Sequence, residues 1–152
     1  MAEHASEQLR MIAARLEEAG AGKLFLDVRA ELRAEAEPLV VAVQEAAQRQ
    51  LPHGGGLNEV VANRHVAVLV RAGAGAGVRL QAPRSNRAGA LTNRGTVNHP
   101  VFGNRERWQN RQPLPQAAGW WTDTLRRDSL LITPRLVAVV DRVSAWIQSG
   151  GI

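Results

Sequence analysis

Val66-Ala67-Val68-Leu69-Val70 breaks with everything before it in the chain. Upstream, apolar residues recur at every third or fourth position. Here Val66, Val68 and Val70 alternate with Ala67 and Leu69, which predicts a β-strand that is apolar on both faces. Gly73-Ala74-Gly75-Ala76-Gly77 follows as a turn, and Val78-Arg79-Leu80-Gln81 reads as the returning strand of a hairpin. The Gly/Ala alternation is no phosphate-binding loop, because neither a Lys-Ser/Thr pair nor a helical pattern follows it.

Upstream of the hairpin the period is helical. Leu9, Ile12, Ala13, Leu16 and Ala19 form one stripe over residues 3–20, closed by Gly20 and Gly22. A second stripe runs from Leu24 through Val28, Leu32, Leu39 and Val43 to Ala47. Pro38 is expected to kink or divide that helix, since it removes a backbone donor and crowds the preceding turn. Leu51-Pro52-His53-Gly54-Gly55-Gly56 is a break, and Leu57 to Asn63 has room for a short helix.

Downstream, residues 82–116 show no sustained period and read as a long irregular basic loop. Thr96 to Phe102 is expected to add a short third strand to the sheet, while Pro100, Pro113 and Pro115 argue against regular pairing over the rest. Helical pattern returns at Trp120, with Trp121, Thr124, Leu125 and Asp128 along one short helix. Thr133-Pro134 predicts a fresh start, with Thr133 as N-cap and Pro134 in the first helical position. Leu136, Val140, Val143 and Ile147 make the final stripe, widened by Val139 and Trp146, and Gly150-Gly151 ends it. The class is therefore α+β, with helices flanking a small antiparallel sheet. The expectation is one domain over 1–152: helical 1–63, sheet and long loop 64–118, and C-terminal helices 119–149.

The chain has 152 residues, enough for a real core in one domain. It has no Cys, which excludes disulfides and thiolate metal sites and suits a reducing cytoplasm. No apolar run reaches membrane-helix length, and Met1-Ala2-Glu3-His4 lacks the basic and apolar regions of a signal peptide. No nucleophile–base–orienter set stands out, so no catalytic residue, metal or cofactor is expected. His4, His53, His65 and His99 match no metal spacing; His53 reads as an exposed loop residue and His99, before Pro100, as a turn residue. Asp123 and Asp128 are five apart and do not share a helix face for paired acid–base work.

Charge and aromatics point elsewhere. The net charge is +5, but residues 1–50 hold six Lys/Arg against nine Asp/Glu, and residues 51–111 hold nine Arg against Glu59 and Glu106. Arg84, Arg87, Arg94, Arg105, Arg107 and Arg111 fall within the unperiodic run. Arginine's planar donor fork suits phosphates and carboxylates. Phe102, Trp108, Trp120 and Trp121 lie between Gly95 and Asp123, in a chain that is only 4% aromatic. Such rings either close a small core or anchor a partner interface. Interleaved with Asn93, Asn98, Asn104 and Asn110, the arginines also suit a basic nucleic-acid-binding arm over 82–116, although no known module pattern is visible.

His99-Pro100-Val101-Phe102-Gly103-Asn104-Arg105, followed by Trp108, resembles the tail-completion family of long-tailed bacteriophages, the minor tail protein Z-like or head–tail joining proteins. Leu51-Pro52-x-Gly-Gly-Gly-Leu57, the two valine-rich strands and Gly119-Trp120-Trp121 fit the same order, so the likeness spans most of the chain. Asn98 stands where a basic residue is common, Ala118 where Pro often precedes the Gly, and Pro113 to Ala118 is longer than usual. The resemblance implies a structural protein of the virion neck, assembled in the host bacterial cytoplasm. It implies a sixfold homo-oligomeric ring around the DNA channel, touching stopper or connector, tail-terminator and tail-tube proteins. Non-specific contact with channel DNA is compatible with it, and membranes and cofactors have no part. On this reading His99, Phe102, Arg105, Trp108, Trp120 and Trp121 are interface or loop-anchoring residues, and Arg84, Arg87, Arg94, Arg107 and Arg111 are basic contacts.

Overall fold

The computed structural model describes residues 2–18, 22–71, 77–83, 86–101 and 104–150, with the side chains of 2–6, 99–101, 104, 105 and 110 outside that description. The fold is α+β and mostly helical. In order come α1 (Ala2–Glu18), α2 (Gly22–Gln50), a 3-10 turn at Gly54–Gly56, α3 (Leu57–Ala62), β1 (Ala67–Arg71), β2 (Gly77–Gln81) and α4 (Arg87–Asn93). Then follow β3 (Thr96–Val101), β4 (Asn104–Pro113), a second 3-10 turn at Pro115–Ala117 and α5 (Trp120–Gln148).

The chain forms two compact units, each built from separate stretches of sequence. This grouping cuts across the three consecutive blocks expected from the sequence. The first unit takes Met1–Pro38, Ala67–Gln81 and Ser129–Ile152; the second takes Leu39–Val66 and Ala82–Asp128.

In the first unit the predicted stripes become one core. Leu9, Ile12 and Leu16 of α1 meet Val28 and Leu32 of α2, Val70 of β1, and Val139, Val140, Val143 and Ile147 of α5. Leu24, Phe25, Leu136 and Val78 pack against them. β1 and β2 pair antiparallel, with Val68 opposite Leu80 and Val70 opposite Val78. Val68 and Val70 are buried and Leu69 half-buried, as expected of a strand apolar on both faces. The glycine-rich turn at 72–76 lies outside the described residues. Trp146 does not widen the buried stripe: it is 43% exposed. Gln8 of α1 leaves its Oε1 buried with no hydrogen-bond partner among the described residues. Replacing Gln8 with Met removes that oxygen while keeping the length of the side chain. The expected gain in unfolding free energy is about 1 kcal/mol, the low end of the penalty for a buried orphan acceptor, read from urea denaturation.

Two prolines that the sequence marks as breaks lie inside continuous helices. α2 continues through Pro38 and α5 through Pro134, so neither divides a helix. Thr133 is no N-cap; its hydroxyl donates back to the carbonyl of Ser129 at 2.7 Å. The reason is exposure. Pro38 and Pro134 lie on solvent faces, as do Ala34 and Leu130 four residues before them. The carbonyls that lose a helical donor there can bond to water, which lowers the cost of the missing rung.

In the second unit, Leu39, Val40, Val43, Ala46, Ala47 and Leu51 are buried, as are Val61, Ala62 and Val66. Asn58, 4% exposed, donates to Gln48 Oε1 at 3.0 Å and meets His53 Nδ1 at 3.3 Å. His53 is exposed, as expected. The run from 82 to 116 is not an irregular loop. It holds α4 and a two-stranded antiparallel ribbon of β3 and β4. β3 is therefore not a third strand of the first sheet, and His99 lies in a strand rather than a turn. Pro100 pairs with Trp108 and Pro113 with Thr96. A two-stranded ribbon consists of edges only, so proline can occupy it without costing a ladder bond.

Candidate partner interface

The ribbon and the start of α5 are both fastened to the C-terminal end of α4. Asn86 caps α4, accepting from Gly89 N–H at 3.0 Å. A Cβ at position 89 would fall 2.7 Å from Asn86 Nδ2, so any larger residue displaces the capping side chain. One turn later, Thr92 is fully buried, and its hydroxyl lies 3.0 Å from the carbonyls of Ala88 and Gly89. The same oxygen accepts from Trp120 Nε1 at 3.0 Å. Trp120 is 3% exposed and meets Trp121 edge-on, with centroids 5.7 Å apart.

Asn93 completes the joint. Its Oδ1 accepts from Trp121 N–H at 2.9 Å and Thr122 N–H at 3.2 Å, and its carbonyl accepts from Gly119 N–H at 2.9 Å. Two orphan donors of α5's first turn are thus satisfied by a side chain from another helix. Gly119 itself has φ +77°, a left-handed conformation that favours glycine, and a Cβ there would also push the Asp123 carboxylate aside. On the ribbon side, Leu114 N–H donates to Gly95 O at 2.7 Å and the Thr96 hydroxyl to Leu91 O at 3.2 Å.

The ribbon carries a bulge. Val97 pairs with Gln112 and His99 with Gln109, so Asn110 and Arg111 together oppose Asn98. Arg111 is left-handed at φ 55°, and its N–H donates to Asn98 Oδ1 at 2.8 Å. Asn98, which departs from the family pattern, thus holds the bulge. The Oδ1 atoms of Asn93 and Asn98 are both engaged within the chain.

The structure sorts the candidate residues by exposure. Trp120 is buried inside the second unit, bonded to Thr92, and Trp121 is half-buried beside it. Trp108 on β4 is 55% exposed. Arg87 and Arg94 stand exposed at the two ends of α4, and Arg107 and Arg111 stand exposed along β4. The side chains of His99 and Arg105 lie outside the description, and so do Arg84 and Phe102 altogether. Thr92 and Asn93, which form the joint, were not singled out as site residues from the sequence.

Elsewhere the charges pair locally. Arg126 meets Asp123 at 3.1 Å and Arg49 meets Glu45 at 3.2 Å. Arg127 grips Asp128 with two hydrogen bonds, at 2.6 and 3.1 Å. Those bonds hold the Asp128 carboxylate below its ordinary range, against a partial desolvation that raises it. In the first unit a surface groove of about 310 Å³ is lined by Glu31, Glu35, Arg135, Ala138, Val139 and Arg142, and Arg142 is ion-paired to Glu31. Among the described residues no group of three His, Asp or Glu is placed to hold a metal, and no helix is long and apolar enough to cross a membrane. The arrangement suits binding: an exposed aromatic and exposed guanidinium groups on a ribbon with a fixed base. Comparison of the chain with family models, curated proteins and solved structures finds no match.

Proposed function

We propose that the chain is a structural protein of a bacteriophage neck, completing the tail end and joining it to the head connector as a ring around the DNA channel. The observation that carries this reading is the β3–β4 ribbon. It bears the His-Pro run through which the sequence resembles tail-completion proteins, and it exposes Trp108, Arg107 and Arg111. The Gly119-Trp120-Trp121 step, the second part of the resemblance, is the joint that fixes the ribbon's base through α4. An exposed arm on a rigid base suits a protein whose task is to bind neighbours above, below and beside it, with contacts to stopper or connector, tail-terminator and tail-tube proteins. In this role the molecule works in the virion neck after assembly in the host cytoplasm, with no catalytic step.

The experiment is disruption of the gene in a phage that encodes it. Filled heads and separate, unjoined tails are the expected products in electron micrographs. Normal joined virions in its absence would end the proposal. A lone subunit that bound duplex DNA tightly and sequence-selectively would instead favour a basic nucleic-acid-binding protein using residues 82–116.

A further inference from the structure

We infer that Arg87, Arg94, Arg107 and Arg111, on the arm formed by α4 and the ribbon, meet the phosphates of a DNA duplex without reading its bases. The inference rests on the neck-ring reading and names the partner of the arm's charge.

The whole net charge of the chain sits in this stretch. Residues 82–111 hold six Arg against Glu106, net +5, and the other residues hold thirteen Lys/Arg against thirteen Asp/Glu. In the rest of the second unit the charges cancel. Arg49, Arg126 and Arg127 are matched by Glu45, Asp123 and Asp128, and the exposed Glu59 and Arg64 offset each other in number. Glu106 has an interaction of its own. Arg87, Arg94, Arg107 and Arg111 are exposed and make no ion pair among the described residues.

The fold gathers these four. Arg87 opens α4 and Arg94 caps its end, seven residues on, which puts both on one side of the helix about 10 Å apart. Gly89 and Thr92, the buried residues of α4, lie on the other side. Arg107 and Arg111 follow along β4, at most about 13 Å apart. Helix α4 packs against β3, and β3 pairs with β4, so the four guanidinium groups ride on one body. A duplex carries one charge for about every 1.7 Å of its axis, so each group finds a phosphate without a matching register.

The surface between the arginines favours DNA over an acidic protein. Trp108 is the one large apolar side chain exposed on α4 or the ribbon among the described residues. A protein interface needs an apolar centre from which charges are depleted, and one ring supplies little of it. Protein–DNA interfaces are more polar and far more positive, and the guanidinium fork fits phosphate oxygens. DNA that passes through a ring presents every sequence in turn, so the contact that suits it is with the backbone.

The test is fluorescence anisotropy of a short labelled duplex of mixed sequence, titrated with the full chain over a range of salt. Circular dichroism melting verifies that each variant folds. Four phosphate contacts predict a slope of about −3.6 in log K against log salt, roughly a 100-fold loss of affinity between 50 and 200 mM. Arg94→Ser with Arg107→Ser is expected to halve that slope, to about −1.8. Arg15→Ser with Arg33→Ser removes the same charge from exposed sites on α1 and α2, and is expected to leave the slope unchanged. The joining of heads to tails is tested separately by gene disruption, so either reading can fail while the other stands. No binding at low salt overturns the phosphate contact, as does a slope that the arm variant leaves unchanged or that both variants lower alike. Selection of one duplex sequence over another overturns it too. Full displacement of the duplex by poly-L-glutamate at equal charge concentration would overturn it in favour of an acidic protein surface.

Discussion

Trp120→Ala is expected to lower the unfolding free energy by about 3–5 kcal/mol, the range for deleting a large buried aromatic. The ring is 3% exposed, so its removal leaves a cavity under the start of α5. It also removes the donor that Thr92 Oγ1 accepts, in a place where water does not reach. Trp120→Phe narrows the comparison, because it keeps much of the apolar volume while losing the N–H together with the smaller ring, and Thr92 supplies the cleaner test. Thr92→Val is the complementary change: it keeps the shape and strands the indole N–H, at about 1–3 kcal/mol. The two single changes and their combination form a double-mutant cycle in urea denaturation, and a non-zero coupling is expected because the groups are in direct contact. If Trp120→Ala unfolded at the wild-type urea midpoint, the ring would not be the anchor of this joint.

The long helices were legible because each buries a stripe, whereas α4 lay unread within the run from 82 to 116. Leu9, Ile12 and Leu16, or Val139, Val140, Val143 and Ile147, lie on one side at helical spacing, and the structure packs them into one core. The β1–β2 hairpin was legible for the same reason at a period of two. The ribbon was not. Asn104 to Gln112 is rich in Arg, Gln and Asn, and a ribbon of two strands need not bury an alternating face, so no apolar period marks it. Its prolines read as breakers because a sequence does not reveal that every strand in the ribbon is an edge. Pro38 and Pro134 misled in a similar way: their effect depends on whether the carbonyl four residues back meets solvent.

The candidate site was half legible. Four rings between Gly95 and Asp123 stood out by composition alone, and their spacing left core and interface roles equally open. Burial separates Trp120 from Trp108, and burial is a tertiary property. Thr92 and Asn93 carried no signal, because a polar residue near the end of a short helix is unremarkable until its partner arrives from 28 residues away. Asn98 was visible only as a departure from a family pattern, and its role in the bulge depends on the left-handed Arg111 across the ribbon.

Trp108→Ala is expected to do the opposite of Trp120→Ala. The ring is 55% exposed on a ribbon strand, so its loss opens no core cavity, and the melting temperature should stay near that of the wild type. An exposed tryptophan on a fixed arm is, however, the kind of residue that dominates an interface once a partner covers it. In the neck assembly its truncation is expected to weaken association by at least about 2 kcal/mol, roughly 30-fold. Trp108→Phe should recover much of the loss, because an aromatic face remains to be buried. Two measurements on the same purified chains decide the matter: thermal unfolding of the subunit and incorporation into tails in an in vitro joining assay. Normal melting with failed joining places Trp108 at a partner surface. Lower melting would place it in the fold of the second unit instead, and normal melting with normal joining would remove it from both roles.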